Sequence, residues 1–352
     1  MIESISVENF KNLTKLELSG LSRLVLIGGK NNCGKSSLLE AMAIAIDPEN
    51  KNLLKQSLRN LDILNHPAPL STLFYNYAHD NTIKISTNNN AYYTTLEFSR
   101  DSRIVSSIFS TSVSSQHIKR YGQKEEQRIY NCPQTKQEVA DCSSSDECRI
   151  GPVMVNPYKD GFFRNAILLT TVNTKISEFV NLYSKIYHKP HSKMLAIKRK
   201  ISELGKILDP TFAELSITSF DGTSYFYVIT TENSFPISSY GEGLQRFMAI
   251  ILHMIHLEGG VLLIDEIENG LHHSVLVQLW QGISAAAREM NCQVIASTHS
   301  YECIQAAYQG CSEHPDDLTF VRLDRNSNGT IKPAVFNYEA LEVALKHDWE
   351  IR

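Results

Sequence analysis

No apolar run in this 352-residue chain is long enough to cross a bilayer. The longest, residues 247–257, is interrupted by His253 and His256, whereas a spanning helix needs about 20 apolar residues. The opening Met1-Ile2-Glu3-Ser4 lacks the basic stretch and following apolar core of a secretory signal. A cytoplasmic protein with no membrane partner is therefore expected. An excess of one charge is also missing: 34 Lys and Arg face 38 Asp and Glu, for a net charge of −4. That excludes a globally basic nucleic-acid coat and leaves room for a local basic face. Seven cysteines, an odd number without a secretion signal, fit reduced thiols better than a disulfide framework. Cys132, Cys142 and Cys148 cluster, but their spacings fit no standard zinc pattern. What the chain does have is 42% apolar residues, enough for one large core or two modest ones.

Along the chain, residues 2–7 and 13–18 alternate as a strand pair, and Leu24-Val25-Leu26-Ile27 reads as a buried strand running into a glycine-rich turn. Residues 36–46 are rich in helix formers, and Pro48 stops them. Residues 71–98 favour β structure, with Asn88-Asn89-Asn90 as a hairpin tip. Residues 101–150 carry ten serines and few periodic apolar positions, the composition of a long polar surface insertion. In 166–187, Leu168, Val172, Ile176, Phe179, Tyr183 and Ile186 recur at steps of three and four, and Ile197, Ile201, Leu204 and Leu208 repeat that spacing beyond Pro190. This predicts two helices forming a hairpin arm. Beyond Pro210 the order is two strands, a helix, then the apolar strands 261–264 and 293–296, the alternation of an α/β sheet.

Four motifs sit at the ends of these elements. Gly29-Lys30-Asn31-Asn32-Cys33-Gly34-Lys35-Ser36 lies between a buried strand and a helix. Its backbone N–H groups, continuing to Ser37, can wrap phosphates at a helix N-terminus; Lys35 would reach the β and γ phosphates and Ser36 would ligate magnesium. After the strand 261–264 come Asp265 and Glu266, the first suited to hold Mg2+ through water and the second to act as general base on an attacking water. Ser239-Tyr240-Gly241-Glu242-Gly243 opens a helix and offers a second anion-binding N-terminus. Ser297-Thr298-His299 follows the strand 293–296, where His299 can donate a hydrogen bond to a γ-phosphate. Arg246 has two readings, a phosphate contact or a pair with Glu242 one turn earlier.

In this order the four motifs resemble the ABC ATPase head shared by SMC, RecF and OLD-family proteins, as do Ile5-Ser6-Val7-Glu8-Asn9-Phe10-Lys11-Asn12 and Leu38-Leu39-Glu40-Ala41. Gly241 through Arg246, Leu263 through His272 and Ser297 through Ser300 are similar to compact bacterial OLD-like AAA-type ATPases. The resemblance covers residues 1–60 and 210–352. It implies an α/β P-loop NTPase fold of ABC type, a mixed sheet flanked by helices with an antiparallel β flank and an inserted helical arm. The boundaries expected are 1–100 for the N-terminal lobe, 101–152 for the polar insertion, 153–209 for the arm and 210–352 for the C-terminal lobe. Ser239, Gly241 and Gly243 would form the signature loop, with Tyr240 standing where glycine is usual; residues 268–272 the D-loop; and His299 the switch histidine. Residues 73–80 offer no Q-loop glutamine.

The resemblance implies Mg2+-dependent ATP hydrolysis by Lys35, Glu266 and His299. It also implies a homodimer or higher oligomer in which ATP is sandwiched between one copy's P-loop and the other's signature loop. Only 53 residues follow His299, so no Toprim nuclease domain is expected in this chain. The functional expectation is a sensor or scaffold ATPase of a bacterial anti-phage system with a separately encoded effector, such as a Toprim nuclease. A RecF-like repair ATPase is the alternative, and a transporter subunit fits worst. Residues 185–206 hold seven Lys or Arg against one acid, Glu203, which suits either a nucleic-acid or acidic-partner surface or a solvated helix face.

Overall fold

The computed structural model describes residues 1–46, 75–77, 83–89, 92–98, 166–170, 176–221, 223–257 and 259–347. The polar insertion, its three cysteines and most of residues 73–80 lie outside the described residues. The chain divides into two compact units. One comprises Met1–Ser22, Gly29–Leu168 and Val321–Val335, the other Arg23–Gly28, Leu169–Phe320 and Phe336–Arg352.

The first unit is built on an antiparallel sheet. β1 (Ser4–Phe10) and β2 (Leu13–Ser19) form a tight hairpin, and β4 (Ile83–Asn89) and β5 (Tyr92–Phe98) form another, in the order β2-β1-β4-β5. Asn88 and Asn89, expected in the hairpin tip, instead pair with Tyr93 and Tyr92 as the end of β4, and Asn90 lies outside the described residues. Alternation decides which face is buried: Ile5 and Val7 stand opposite Leu18 and Leu16, and all four are buried. This sheet packs with α1 (Lys35–Ile46), whose residues from Ser37 onward are all buried. A helix enclosed on every side cannot show an amphipathic stripe, and it accommodates its one buried acid, Glu40, through an ion pair with Lys11.

The core of the second unit is parallel. β3 (Leu24–Gly28), β10 (Val261–Ile264) and β11 (Gln293–Ser297) run in the order β3-β11-β10, with Ile264 beside Ala296 and Ala296 beside Leu26. Every residue in them is buried. Since successive side chains point to opposite faces, both faces are covered, and the strands read as unbroken apolar runs. They are flanked by α4 (Glu242–Leu257), α5 (Leu276–Glu289) and α6 (Tyr301–Gly310). β12 (Leu318–Arg325) lies next to β3 and continues into the first unit, where a turn closed by Asn326 N–H to Thr330 O returns it as β13 (Ile331–Phe336). α7 (Tyr338–Lys346) follows.

The expected arm is present as α2 (Ile176–Ser184) and α3 (His191–Leu208), joined by a 3-10 turn (Lys185–His188) and Pro190. Both helices pack on an antiparallel sheet of β7 (Phe212–Phe220), β8 (Thr223–Thr230) and β9 (Ser234–Pro236). Phe179 stacks on Phe226 with ring centres 5.9 Å apart, Tyr183 meets the same ring edge-on at 5.3 Å, and the Tyr183 hydroxyl donates to the Leu215 carbonyl at 2.6 Å. One expectation needs correction. Residues 166–169, read as the start of the first helix, form β6 (Ala166–Leu169) next to β10. A short buried apolar run has no helical or strand period of its own, and here pairing within the sheet decides it.

Candidate functional site

In the first unit, the glycine loop requires its glycines. Gly29 has φ +136, and a Cβ there would lie 2.5 Å from the Leu323 carbonyl oxygen; Gly34 has φ +92, and a Cβ there would lie 2.8 Å from Leu13 and 2.9 Å from Ile331. Asn32 also takes a left-handed conformation, φ +62, which asparagine tolerates better than most residues. Leu38 N–H reaches the Gly34 carbonyl at 2.8 Å, so α1 starts immediately after the loop. The N–H groups of its first turn therefore have no helical acceptors and are free to receive an anion. The Lys35 ammonium donates to the Gly29 and Lys30 carbonyls at 2.7 and 3.0 Å. Asn31 and Asn32 are exposed, Ser36 is half-buried, and Cys33, Gly34 and Ser37 are buried. Burial pushes the Cys33 thiol up, against the opposing pull of nearby Lys35.

In the second unit, the two acids after β10 sit in a turn with most of its polar groups accounted for. Asp265 N–H donates to Leu169 O at 2.8 Å, Glu266 N–H to Ser297 Oγ at 2.8 Å, and Ile267 N–H to Ser297 O at 3.0 Å. The Ser297 hydroxyl donates in turn to Asp265 Oδ1 at 2.5 Å. Glu266 has φ +49, an uncommon conformation for a side-chain-bearing residue that costs about 1–2 kcal/mol. Arg246, only 9% exposed, donates from one Nη2 to the carbonyls of both Asp265 and Glu266, each at 3.1 Å. Burial lowers the Arg246 guanidinium from its ordinary value, while Glu268, Asp265 and Glu266 pull the other way.

His299, at the exposed end of the same strand edge, donates its backbone N–H to Glu268 Oε1 at 2.9 Å and holds Nδ1 3.1 Å from that oxygen. Thr298 N–H donates to Ile27 O at 2.9 Å, which fixes the start of this loop to β3. The segment before α4 is exposed at Ser239 and Gly241 and half-buried at Gly243. Tyr240 is anchored: its hydroxyl donates to Asp209, the residue that ends α3, and its carbonyl accepts from Gln245 at 2.7 Å. For Asp209, burial is outweighed by hydrogen bonds from Tyr240 and Thr211, leaving its carboxyl below the usual range.

Residues 1–150 match the family described as AAA ATPase domain, and residues 151–304 match the family described as AAA domain, putative AbiEii toxin, Type IV TA system. The chain thus carries an AAA-type P-loop ATPase domain. Its fold is similar to that of an SMC head bound to the C-winged helix domain of ScpA, with TM-score 0.58 and 14% identity over 96% of this chain and 98% of that one. An SMC head with an extended coiled coil derived from Pyrococcus furiosus gives TM-score 0.54 and 12% identity over 99% of both chains. The SMC head domain of Thermotoga maritima gives 0.52 and 10% over 96% and 99%. By sequence, the ATPase is 25% identical to an ATP/GTP phosphatase of Helicobacter pylori over 87% of both proteins. It is also 48% identical over 44 residues, 12% of this chain and 20% of the other, to Uncharacterized protein MJECL10 of Methanocaldococcus jannaschii.

Within the second unit of the ATPase, the structure brings Asp265, Glu266 and Ser297 together and leaves Ser239 and Gly241 facing solvent. Among the described residues no group of three or more His, Cys, Asp or Glu could cage a metal. Sequence reasoning missed three roles. Ser297 ties the two acids together through its hydroxyl, Arg246 grips their backbone, while its pairing with the Glu242 side chain lies outside the described residues, and Asp209 holds Tyr240. No local pattern signals the first two, because the partners are 31 and 32 residues apart in one case and 19 and 20 in the other.

Proposed function

We propose that the ATPase is a nucleotide-driven switch in which two copies close on ATP and reopen after hydrolysis. Lys35 and the amides of residues 29–37 hold the phosphates, with Gly29, Asn31, Asn32, Cys33 and Gly34 shaping the loop. Ser36 would supply an oxygen ligand to Mg2+ and Asp265 would hold the ion through water, and the ion when bound would offset phosphate charge. Glu266 takes the proton of the attacking water, and His299 hydrogen-bonds the γ-phosphate. Ser239, Gly241 and Gly243 engage the nucleotide of the second copy. The observation that carries this reading is the exposure of Ser239 and Gly241 at the start of a 16-residue helix, a ready anion site turned outward. The likeness to the ATP/GTP phosphatase of Helicobacter pylori supports phosphate hydrolysis and allows either base.

We assign the switch to a bacterial anti-phage system with a separate effector protein, for which a Toprim nuclease is a candidate. The family described by a putative toxin of a type IV toxin–antitoxin system supports a conflict-system role, and the SMC head bound to a ScpA domain shows that this fold can carry a second protein. Nucleic acid is the further partner proposed, through residues 185–206. There Tyr187 and Leu195 are 48% and 50% exposed, and Lys198 lies 4.5 Å from the Tyr187 ring centre. This basic, aromatic-bearing surface is what favours the second reading, a RecF-like repair ATPase, and hydrolysis stimulated by DNA would select it.

Glu266→Gln tests the core. It should bind MgATP, lose turnover, and run as a stable dimer by light scattering only when ATP is present. Wild-type turnover in that variant would remove Glu266 as the base, and an ATP-independent monomer would remove the switch.

A further inference from the structure

Glu266 adopts φ +49, and a side-chain-bearing residue stays in the left-handed region only where its surroundings hold it there. Two holds come from the neighbouring strand and turn: Ser297 Oγ accepts the Glu266 N–H at 2.8 Å, and Asn269 N–H donates to the Glu266 carbonyl at 3.0 Å. The third comes from elsewhere in the chain. Arg246 lies in the second turn of α4, the helix that begins at the exposed Ser239 and Gly241 segment. Its guanidinium, nearly closed off from water, spans the carbonyls of Asp265 and Glu266 at 3.1 Å each. Nη2 carries two N–H donors, so this one nitrogen can satisfy both acceptors at once. A buried charge with carboxylates nearby is also expensive to move, so the contact defines one position of α4 relative to the turn.

We propose that Arg246 is a positioning residue for hydrolysis: it reports the register of α4 to the Asp265–Glu266 backbone and so aims the Glu266 carboxylate. A shift of α4 by about 1 Å would stretch these bonds beyond hydrogen-bonding range. Engagement of the segment at its N-terminus by a second copy's nucleotide would therefore be felt at the base. This rests on the assignment of Glu266 as the base and of Ser239 and Gly241 as contacts in trans.

The test compares Arg246→Lys and Arg246→Met in the full chain by steady-state ATP turnover, with fluorescent-ATP affinity and thermal melting alongside. Arg246→Met should keep nucleotide affinity within about threefold and lose on the order of tenfold or more in kcat. Arg246→Lys, which keeps the charge and one donor direction, should recover part of kcat with KM unchanged. Wild-type kcat in Arg246→Met would overturn the inference. So would loss of affinity together with melting temperature in both variants, which is the pattern of a purely structural residue. A wild-type chain that neither binds nor hydrolyses ATP would overturn instead the reading beneath it.

Discussion

Lys35 directs its ammonium to two carbonyls of its own loop, those of Gly29 and Lys30, and these are contacts a triphosphate would replace with stronger charge-assisted ones. Lys35→Ala should weaken ATP binding roughly 100-fold or more, as measured by fluorescent-nucleotide titration, with the melting temperature unchanged because the side chain supports no core residue. Unaltered affinity would exclude Lys35 from the site. The loop around it was legible in the sequence because its requirements are local: Gly29 and Gly34 need positive φ and room that a Cβ would fill. The acid pair was only half legible. Its residue types and its place after an apolar strand can be read directly, but the Ser297 bridge between Asp265 Oδ1 and Glu266 N–H exists only once β10 and β11 lie side by side. His299 shows the same limit, since its Nδ1 lies against Glu268, a pairing across 31 residues that no spacing announces.

The elements divide by how strongly their own pattern constrains them. The hairpin β1–β2 and residues 83–87 of β4 alternate with period two, and that alternation reaches the observed burial. α2 and α3 carry three- and four-residue spacing and fold as helices, whereas β6 was misread because four apolar residues fit either period. Within α3, Gly205 is where packing overrides propensity. Alanine is the better helix former by about 1 kcal/mol, yet a Cβ at Gly205 would lie 2.3 Å from the ring of fully buried Phe212. Overpacking a core typically costs about 1–3 kcal/mol, and a ring enclosed on all sides has little room to yield. Gly205→Ala is therefore expected to destabilise the chain by about 1–2 kcal/mol, measured as a lowered urea midpoint. A midpoint at or above that of wild type would mean that Phe212 can move aside.

At the scale of the whole molecule, a net charge of −4 should repel polyanions, so any nucleic-acid binding must come from a local surface. Reversing Lys185 and Lys198 to Glu should then weaken binding and reduce its salt dependence by about two counterions' worth, read from fluorescence anisotropy of labelled DNA at several salt concentrations. An unchanged salt slope would leave residues 185–206 as a solvated helix face. By itself the sequence determined the fold class, the position of the glycine loop, the identity of the two acids and most elements. The α/β alternation, the loop, the acids and the elements follow from periodicity or from residues adjacent in the chain, and the ABC type of the fold from the family resemblance of the motifs. Only the tertiary structure decided that Arg246 meets the backbone of Asp265 and Glu266, that Ser297 joins their polar groups, that Asp209 anchors Tyr240, and that 166–169 is a strand. In every such case the partner is distant in sequence, and a hydrogen bond or strand pairing between distant residues leaves no periodic trace in either segment.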